Sequence, residues 1–564
     1  MYIGGNTKKK ATYDAIVVGS GISGGWAAME LCKKGLNTLL LERGRDVKHI
    51  IDYPTANLNP WDFKLRLHPS LKEVQTNPLR TQQSDAGNEH FFADDQNHPY
   101  IQENPFIWIR GYQAGGRSLT WGRQCYRWSD LDFNANLNEG IAVDWPIRYR
   151  DVEPWYDYVE KFIGVSGQNE NLSQLPDGQF LPPMELNCIE KHLADSIKKS
   201  DQDRLLTIAR VANLTRGWDN RGPCQNRNLC TRGCPFGGYF SSNSSTIPAA
   251  FQTGNLTMRT YSIVSEVMYD DNTHQAKGVR VIDTLTSEVF EYYAKVIFLN
   301  ASTIATAGIL LNSKSARFPD GFGNDSGELG HNLMDHHSSA GAYGVHEGFQ
   351  EYYYKGRRPA GFLIPRFRNL NKDENLGYKR GFNIQGDGER AQWQDQQDRG
   401  GFGADFKKHL TTPGPWSVWM AGWGECLPYH DNQIQLHAHQ TDKWGLPLIS
   451  IDFTFRENEQ KMMKDIEQVS QDMLNSAGFK EVNSFNYHKP GGATVHEMGT
   501  ARMGKDPRTS VLNGNNQIHS VKNVFITDGS CMSSSACQNP SLTYMALTAR
   551  ACDFAFNELK KGNL

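Results

Sequence analysis

At 564 residues the chain exceeds what one simple hydrophobic core accommodates, so two or more domains are expected. The balance of 59 Lys and Arg against 62 Asp and Glu, with no basic run longer than Lys8-Lys9-Lys10, argues against a nucleic-acid partner. No apolar run approaches the roughly 20 residues that span a bilayer. No apolar signal segment precedes the first predicted strand, and most of the ten cysteines are scattered rather than spaced as a disulfide framework.

Tyr13 to Val18 is a β-branched run suited to a buried parallel strand, and it leads directly into Gly19-Ser20-Gly21-Ile22-Ser23-Gly24. A helix is predicted from Trp26 to Lys34 with Gly35 as its stop, then a second strand from Thr38 to Leu41 with Glu42 at its tip. Gly19 permits the tight turn, Gly21 lets backbone amides approach a pyrophosphate, and Gly24 lets helix and strand pack closely. The helix N-terminus then faces the negative charge. Glu42 suits ribose hydroxyls, which favours FAD or NAD over NADP; Ser23 and Arg43 are candidates for the same site.

Residues 46–105 are polar and irregular, and read as a surface insertion serving as a lid or a partner contact. Gly115-Gly116-Arg117-Ser118-Leu119-Thr120-Trp121-Gly122 permits close approach to something flat or charged, with Ser118 and Trp121 flanking it. Further nucleotide-domain elements are predicted at Asp151 to Ile163, Val296 to Asn300, the helix to Leu311, and Val521 to Thr527, which ends at Asp528-Gly529. Between His336 and Glu481 the texture changes to alternating segments, including Gln433 to Leu436 and Ile449 to Asp452, with a long amphipathic helix from Glu457 to Ser476. The expected architecture is α/β (α+β overall). A Rossmann-like dinucleotide-binding domain is assembled from discontinuous segments over 11–335. A substrate domain over 336–484 has an antiparallel sheet flanked by helices, and 485–564 returns to the first domain.

Cys224, Cys230 and Cys234 fall within eleven residues. Three thiolates suit a [3Fe-4S] cluster; a structural zinc needs a fourth ligand, and a disulfide plus one thiol is the third alternative. Near the C-terminus, His496 sits in a glycine-punctuated turn and Asn539 precedes Pro540. A neutral imidazole can take a proton from an alcohol, and an amide can hold the same oxygen without competing for it.

Together these motifs resemble the glucose–methanol–choline (GMC) family of FAD-dependent oxidoreductases. The resemblance rests on the Gly19 to Gly24 turn with Glu42, the Gly115 to Gly122 loop, Gly323 to Gly330 leading to Leu333-Met334-Asp335-His336, His496-Glu497-Met498-Gly499-Thr500, Asp528-Gly529-Ser530 and Asn539-Pro540. It implies that His496 and Asn539 form the catalytic pair and that Asp528 and Gly529 meet the ribityl-pyrophosphate. It also implies that Gly116, Ser118 and Trp121 lie at the isoalloxazine, Val264 beside the adenine, and Pro540 at the cofactor. Some relatives tether flavin through a histidine where this chain has Thr120, so non-covalent FAD is expected.

Within the family the pattern is most similar to the bacterial sugar dehydrogenase branch, and in it to glucoside 3-dehydrogenase flavoprotein subunits. That implies oxidation of a sugar hydroxyl, an iron–sulfur relay, a small twin-arginine-type partner subunit, and a cytochrome c or quinone-linked acceptor. Periplasmic or membrane-associated placement through that partner is implied, with a cytoplasmic location equally open. Gluconate-type or glucose dehydrogenases, sugar oxidases, and a non-catalytic flavin electron-transfer subunit are the alternatives. His336 and His337 are expected to be structural or near the ribityl chain, Arg502 to anchor the His496 turn, and Cys531 and Cys537 to pack. Glu425, Asn432 and Gln435 are candidates for sugar hydroxyls.

Overall fold

The strand Lys10–Val18 is the axis of the nucleotide-binding half, with Thr38–Leu41 on one side and Val289–Leu299 on the other, all parallel. Leu256–Arg259 extends this sheet beyond Thr38–Leu41, and Val521–Ile526 extends it beyond Val289–Leu299, both also parallel. Their central stretches, Ala15 to Val18, Leu39 to Leu41 and Val296 to Leu299, are buried on both faces, which explains those continuous apolar runs. The computed structural model describes residues 10–67, 85–201, 204–353, 356, 358–370, 375–391 and 401–564.

The first helix, Ile22–Lys33, starts where the glycine turn ends. A Cβ on Gly24 would stand 1.8 Å from the Gly19 carbonyl oxygen, so only glycine allows the helix to sit this close to the strand end. Helix Ser541–Lys561 packs against both Ile22–Lys33 and Tyr149–Ile163, bringing the C-terminus back to the first domain.

A second sheet has six antiparallel strands in the order Lys480–Asn486, Ala340–His346, Trp416–Gly424, Phe382–Arg390, Phe362–Ile364, Thr207–Ile208. Helix Glu457–Ser476 covers one face through Met462, Met463, Ile466, Val469 and Met473, an i, i+3/i+4 stripe packed on Trp416, Val418, Met420 and Ile384. Ile189, Leu193, Ile197 and Leu206 join this core too. The half built on this sheet therefore recruits a helix and a strand from well before residue 336.

The hairpin Gln433–Thr441/Pro447–Asp452, expected in the substrate sheet, instead pairs with Ile101–Gln102 as a separate three-stranded sheet. The cause is local. Ile434 N–H donates to the Gly330 carbonyl at 2.8 Å, and Ile434, Ile451 and Phe453 complete the core of the first domain.

The described parts of the 46–105 insertion are turns, short 3-10 segments and the two-residue strand Ile101–Gln102, with a small core of Val47, Tyr53, Ala56, Phe91 and Leu119; residues 68–84 lie outside the described residues. Among the described residues, no helix is long and apolar enough to cross a membrane.

Candidate active site

His496 lies in a turn whose backbone is strained and held from several sides. Val495, a β-branched residue, has φ of +60°, a conformation that persists only where surroundings enforce it. Here Arg117 donates to the Val495 carbonyl at 3.2 Å and pairs with Glu497 at 2.8 Å. The buried Asp335 carboxylate accepts from His496 N–H at 3.1 Å, from Gly492 N–H at 2.8 Å and from the Thr494 hydroxyl. Burial and the neighbouring Glu497 push Asp335 up to about 7, against the pull of those three donors. Arg502 anchors the following residues through Asn332 at 2.8 Å and Glu328 at 3.0 Å.

The His496 Nδ1 is 2.9 Å from the Nδ1 of His336. The His336 Nε2 faces two acceptors, the carbonyl oxygens of Ser535 at 3.2 Å and Ala536 at 2.8 Å, so it carries the proton. His336 Nδ1 is then a lone-pair acceptor, and His496 must donate to it through Nδ1–H. The consequence is that His496 Nε2 is unprotonated, and it lies 3.4 Å from the Asn539 Nδ2. Burial, His336 and Arg117 hold His496 well below the usual histidine range. Burial likewise takes His336 down to about 4.

Asn539 is oriented from the other sheet. Gln385 Nε2 donates to its Oδ1 at 2.7 Å, and Gln385 Oε1 accepts from Gln124 at 2.9 Å. That leaves the Asn539 amide N–H groups facing His496. The sequence singles out neither Gln385 nor Gln124, because their role depends on a strand brought from over a hundred residues away. His336 was visible only as part of a motif. Its contact with His496 is the feature that sequence spacing could not reveal.

His496 and Asn539 lie at one end of a cavity of about 300 Å³. Gly19, Gly21, Ser23, Glu42, Arg43, Gly116, Ser118, Trp121, Val264, Asp528, Gly529 and Pro540 line the same cavity. Gly24 does not; it serves the packing of helix on strand. The shape fits a dinucleotide. A Cβ on Gly21 would meet nothing within 4 Å, so its backbone borders open space where a pyrophosphate can approach. The buried Asn300 Nδ2, beside that turn, has no hydrogen-bond partner among the described residues, which fits a donor to a bound group there. The Glu42 carboxylate is held by Ser20 N–H at 3.1 Å and Gly44 N–H at 2.9 Å, and burial raises its pKa. Asp528 accepts from Ser302 N–H and Ser530 N–H, both at 3.0 Å, which fixes the turn against the cavity.

Residues 13–338 match the N-terminal domain and residues 428–548 the C-terminal domain described as GMC oxidoreductase. The chain belongs to the GMC oxidoreductase family. It is 27% identical to a 2-methyl-1,2-propanediol dehydrogenase of Mycolicibacterium austroafricanum, over 96% of this chain and 94% of that one. It is 25% identical to the fructose dehydrogenase large subunit of Gluconobacter japonicus, over 97% and 98%. The solved structure of an Aspergillus oryzae formate oxidase shares the fold, with a TM-score of 0.63 at 16% identity, covering 98% of this chain and 100% of the other. As a GMC oxidoreductase this is an FAD-dependent enzyme acting on CH–OH donors.

Other residues of this GMC oxidoreductase stand elsewhere. Glu425 is buried against Arg380 at 3.1 Å, Asn432 holds Thr454 N–H at 3.1 Å, and Gln435 bonds its neighbour Gln433 at 3.0 Å. None lines the cavity. Thr120 does line it. Cys531 and Cys537 are buried packing residues. His337 is buried with both ring nitrogens unpartnered and is pushed down to about 3. From the insertion, Phe92 and His98 reach the cavity wall.

Cys224, Cys230 and Cys234 lie behind the Gly115 to Gly122 loop. Tyr239 donates to the Leu119 carbonyl at 2.6 Å, and Trp121 Nε1–H donates to the Phe240 carbonyl at 2.9 Å. Asn226 N–H points at the Cys224 sulfur at 3.4 Å, and Gly238 N–H at the Cys234 sulfur at 3.3 Å. Among the described residues, no group of three or more His, Cys, Asp or Glu stands in a metal-holding arrangement. The insertion covers this segment, with Arg232 donating to the Leu58 carbonyl at 3.1 Å.

Proposed function

We propose that this protein is an FAD-dependent dehydrogenase that oxidises a secondary hydroxyl of a sugar or glycoside, at C3, to give a 3-keto product. The observation that carries the alcohol chemistry is the unprotonated His496 Nε2 set 3.4 Å from the Asn539 amide at the end of the dinucleotide-shaped cavity. His496 takes the hydroxyl proton at Nε2, and Asn539 donates to the same oxygen, aligning the carbon-bound hydrogen with the cofactor. FAD, when bound, supplies the two-electron acceptor for the departing hydride. His336 keeps His496 in the reactive tautomer, and the Gln124–Gln385 pair keeps the Asn539 amide turned the right way. The sugar assignment is supported by the relative named for fructose and by the sequence resemblance to the sugar dehydrogenase branch.

The same reading gives Cys224, Cys230 and Cys234 the role of holding a [3Fe-4S] cluster that relays electrons to a cytochrome c or quinone-linked acceptor. Its support is the spacing of the three cysteines within eleven residues, with backbone N–H groups directed at the sulfurs of Cys224 and Cys234, although among the described residues the three thiols do not stand in a metal-holding arrangement. FAD is bound without a covalent link, since Thr120 lines the cavity and offers no ring nitrogen. A small twin-arginine-type subunit and a periplasmic location through it complete the proposal. Product analysis by NMR after turnover on methyl glucoside with an artificial acceptor tests the position of attack: a 3-keto product is expected, and a lactone or 2-keto product contradicts it. Iron analysis and low-temperature EPR test the cluster, and iron-free protein with full activity towards a natural acceptor refutes the relay.

A further inference from the structure

One face of the six-stranded sheet carries aromatic rings that the catalytic chemistry does not use. Directly opposite residues of an antiparallel pair project from the same face. Asn383 pairs with Trp423, Gln385 with Ala421, Ala421 with Gly341, Trp419 with Tyr343, and Gly341 with Phe485. Gln385 bonds Asn539, and Asn383 donates to the Cys537 carbonyl, so this is the face turned to the catalytic pair. Gln385, Ala421, Gly341 and Phe485 therefore form one row across four strands. At a strand spacing of about 4.8 Å the row runs roughly 14 Å from Gln385 to Phe485.

The far end of that row is a platform. Trp419 and Phe485 have nearly parallel rings, 7° apart with centroids at 6.1 Å, and Phe485 and Tyr487 are 13° apart at 5.0 Å. Trp423 meets Trp419 edge-on at 6.4 Å, on the side towards Asn383. Phe485 lies over Gly341, where a Cβ would stand 2.9 Å from the ring. Trp419 is 40% exposed, Tyr343 39% and Tyr487 65%. Contiguous exposed apolar patches often mark interaction or ligand sites.

We infer that this face is a second binding platform for a further sugar ring of the substrate, so that the enzyme prefers glycosides of two or more sugar units over monosaccharides. This rests on the sugar-oxidation reading above. Three considerations select that occupant. The platform continues the row that begins at the catalytic Asn539. Its length accommodates a second pyranose beyond the one being oxidised. Rigid rings offer the C–H face of a pyranose a large contact at small entropic cost. A protein partner fits less well, since stable interfaces take about 800 Å² from each side, whereas this patch is a few rings at a sheet edge.

The test uses purified holoenzyme and anaerobic bleaching of the flavin by methyl glucoside, maltose, maltotriose, cellobiose and cellotriose. The half-saturating concentration is expected to fall roughly ten-fold from methyl glucoside to the better disaccharide, the effect of about one good aromatic contact. Trp419→Ala and Tyr487→Ala remove that gain and leave methyl glucoside unchanged, while Trp419→Phe keeps most of it. Equal half-saturation for all lengths in all variants overturns the platform. So does a change of oligomeric state in Trp419→Ala without any change in sugar dependence, which assigns the face to a second copy. If no sugar bleaches the flavin, the sugar-oxidation reading fails, and calorimetric titration with maltotriose and cellotriose still decides the platform: Trp419-dependent binding supports it and none refutes it.

Discussion

The Nδ1 atoms of His336 and His496 lie 2.9 Å apart, and the two carbonyls at His336 Nε2 decide which ring donates. A carboxylate in the position of His336 would raise the basicity of His496. A neutral imidazole fixes the tautomer without adding negative charge, and burial keeps His496 unprotonated below the ordinary histidine range.

Replacing His336 with Leu removes the acceptor and frees His496 to adopt the wrong tautomer. Flavin reduction is expected to slow by roughly 10- to 100-fold, within the range of lost acid–base organisation. His336→Asn keeps an acceptor at the Nδ1 position and should recover most of the rate. His336→Asp should move the acidic limb of the kcat/KM profile to higher pH, because a neighbouring anion favours the imidazolium. Unchanged profiles in all three variants would show that His336 only fills space.

Acid stability follows from the buried histidines. His336 and His337 have folded-state values near 4 and 3, below the unfolded value of about 6.5. Between those limits the unfolded chain binds more protons, so stability rises with pH there and is lost as pH falls from about 6.5 towards 4. Denaturation midpoints measured across that window should drop steeply. His337→Phe removes a buried group with no hydrogen-bond partner and should flatten the slope; an identical slope would place the proton uptake elsewhere.

Two glycines in one turn should behave differently. Gly24→Ala forces a Cβ to 1.8 Å from the Gly19 oxygen and should destabilise the fold itself. Gly21→Ala meets no protein atom within 4 Å, so the protein should fold normally yet bind FAD weakly. Thermal denaturation of both apoproteins, with flavin titration, separates the two effects.

Acid precipitation should release the flavin into the supernatant, since Thr120 offers no nitrogen for a covalent bond. Yellow colour retained in the pellet would mean a tether at another residue.

Much of the nucleotide half was legible because its information is local. Gly24 answers a steric demand from Gly19 five residues before it, Gly19 takes the positive φ of the turn, Gly21 leaves its backbone open, and Glu42 ends the strand beside them. His496 and Asn539 were legible as residue types. What orients them was not, because His336, Gln385 and Gln124 act across distances in sequence that only the sheet closes. The Gln433–Asp452 hairpin shows the same limit: alternation marked its strands, but the Gly330 contact that draws it to the first domain is non-local. Thr207–Ile208 is a two-residue strand, too short to leave any periodic signal.

The central claim is that His496 is the base for a sugar alcohol whose hydride leaves to FAD. Anaerobic stopped-flow bleaching of the flavin by methyl glucoside, in wild type and His496→Ala, tests it most directly. Bleaching is expected in the wild type and a loss of roughly 100-fold or more in the variant, with dithionite reducing both. Equal bleaching in the two proteins, or none by any sugar while dithionite still reduces the flavin, would contradict it.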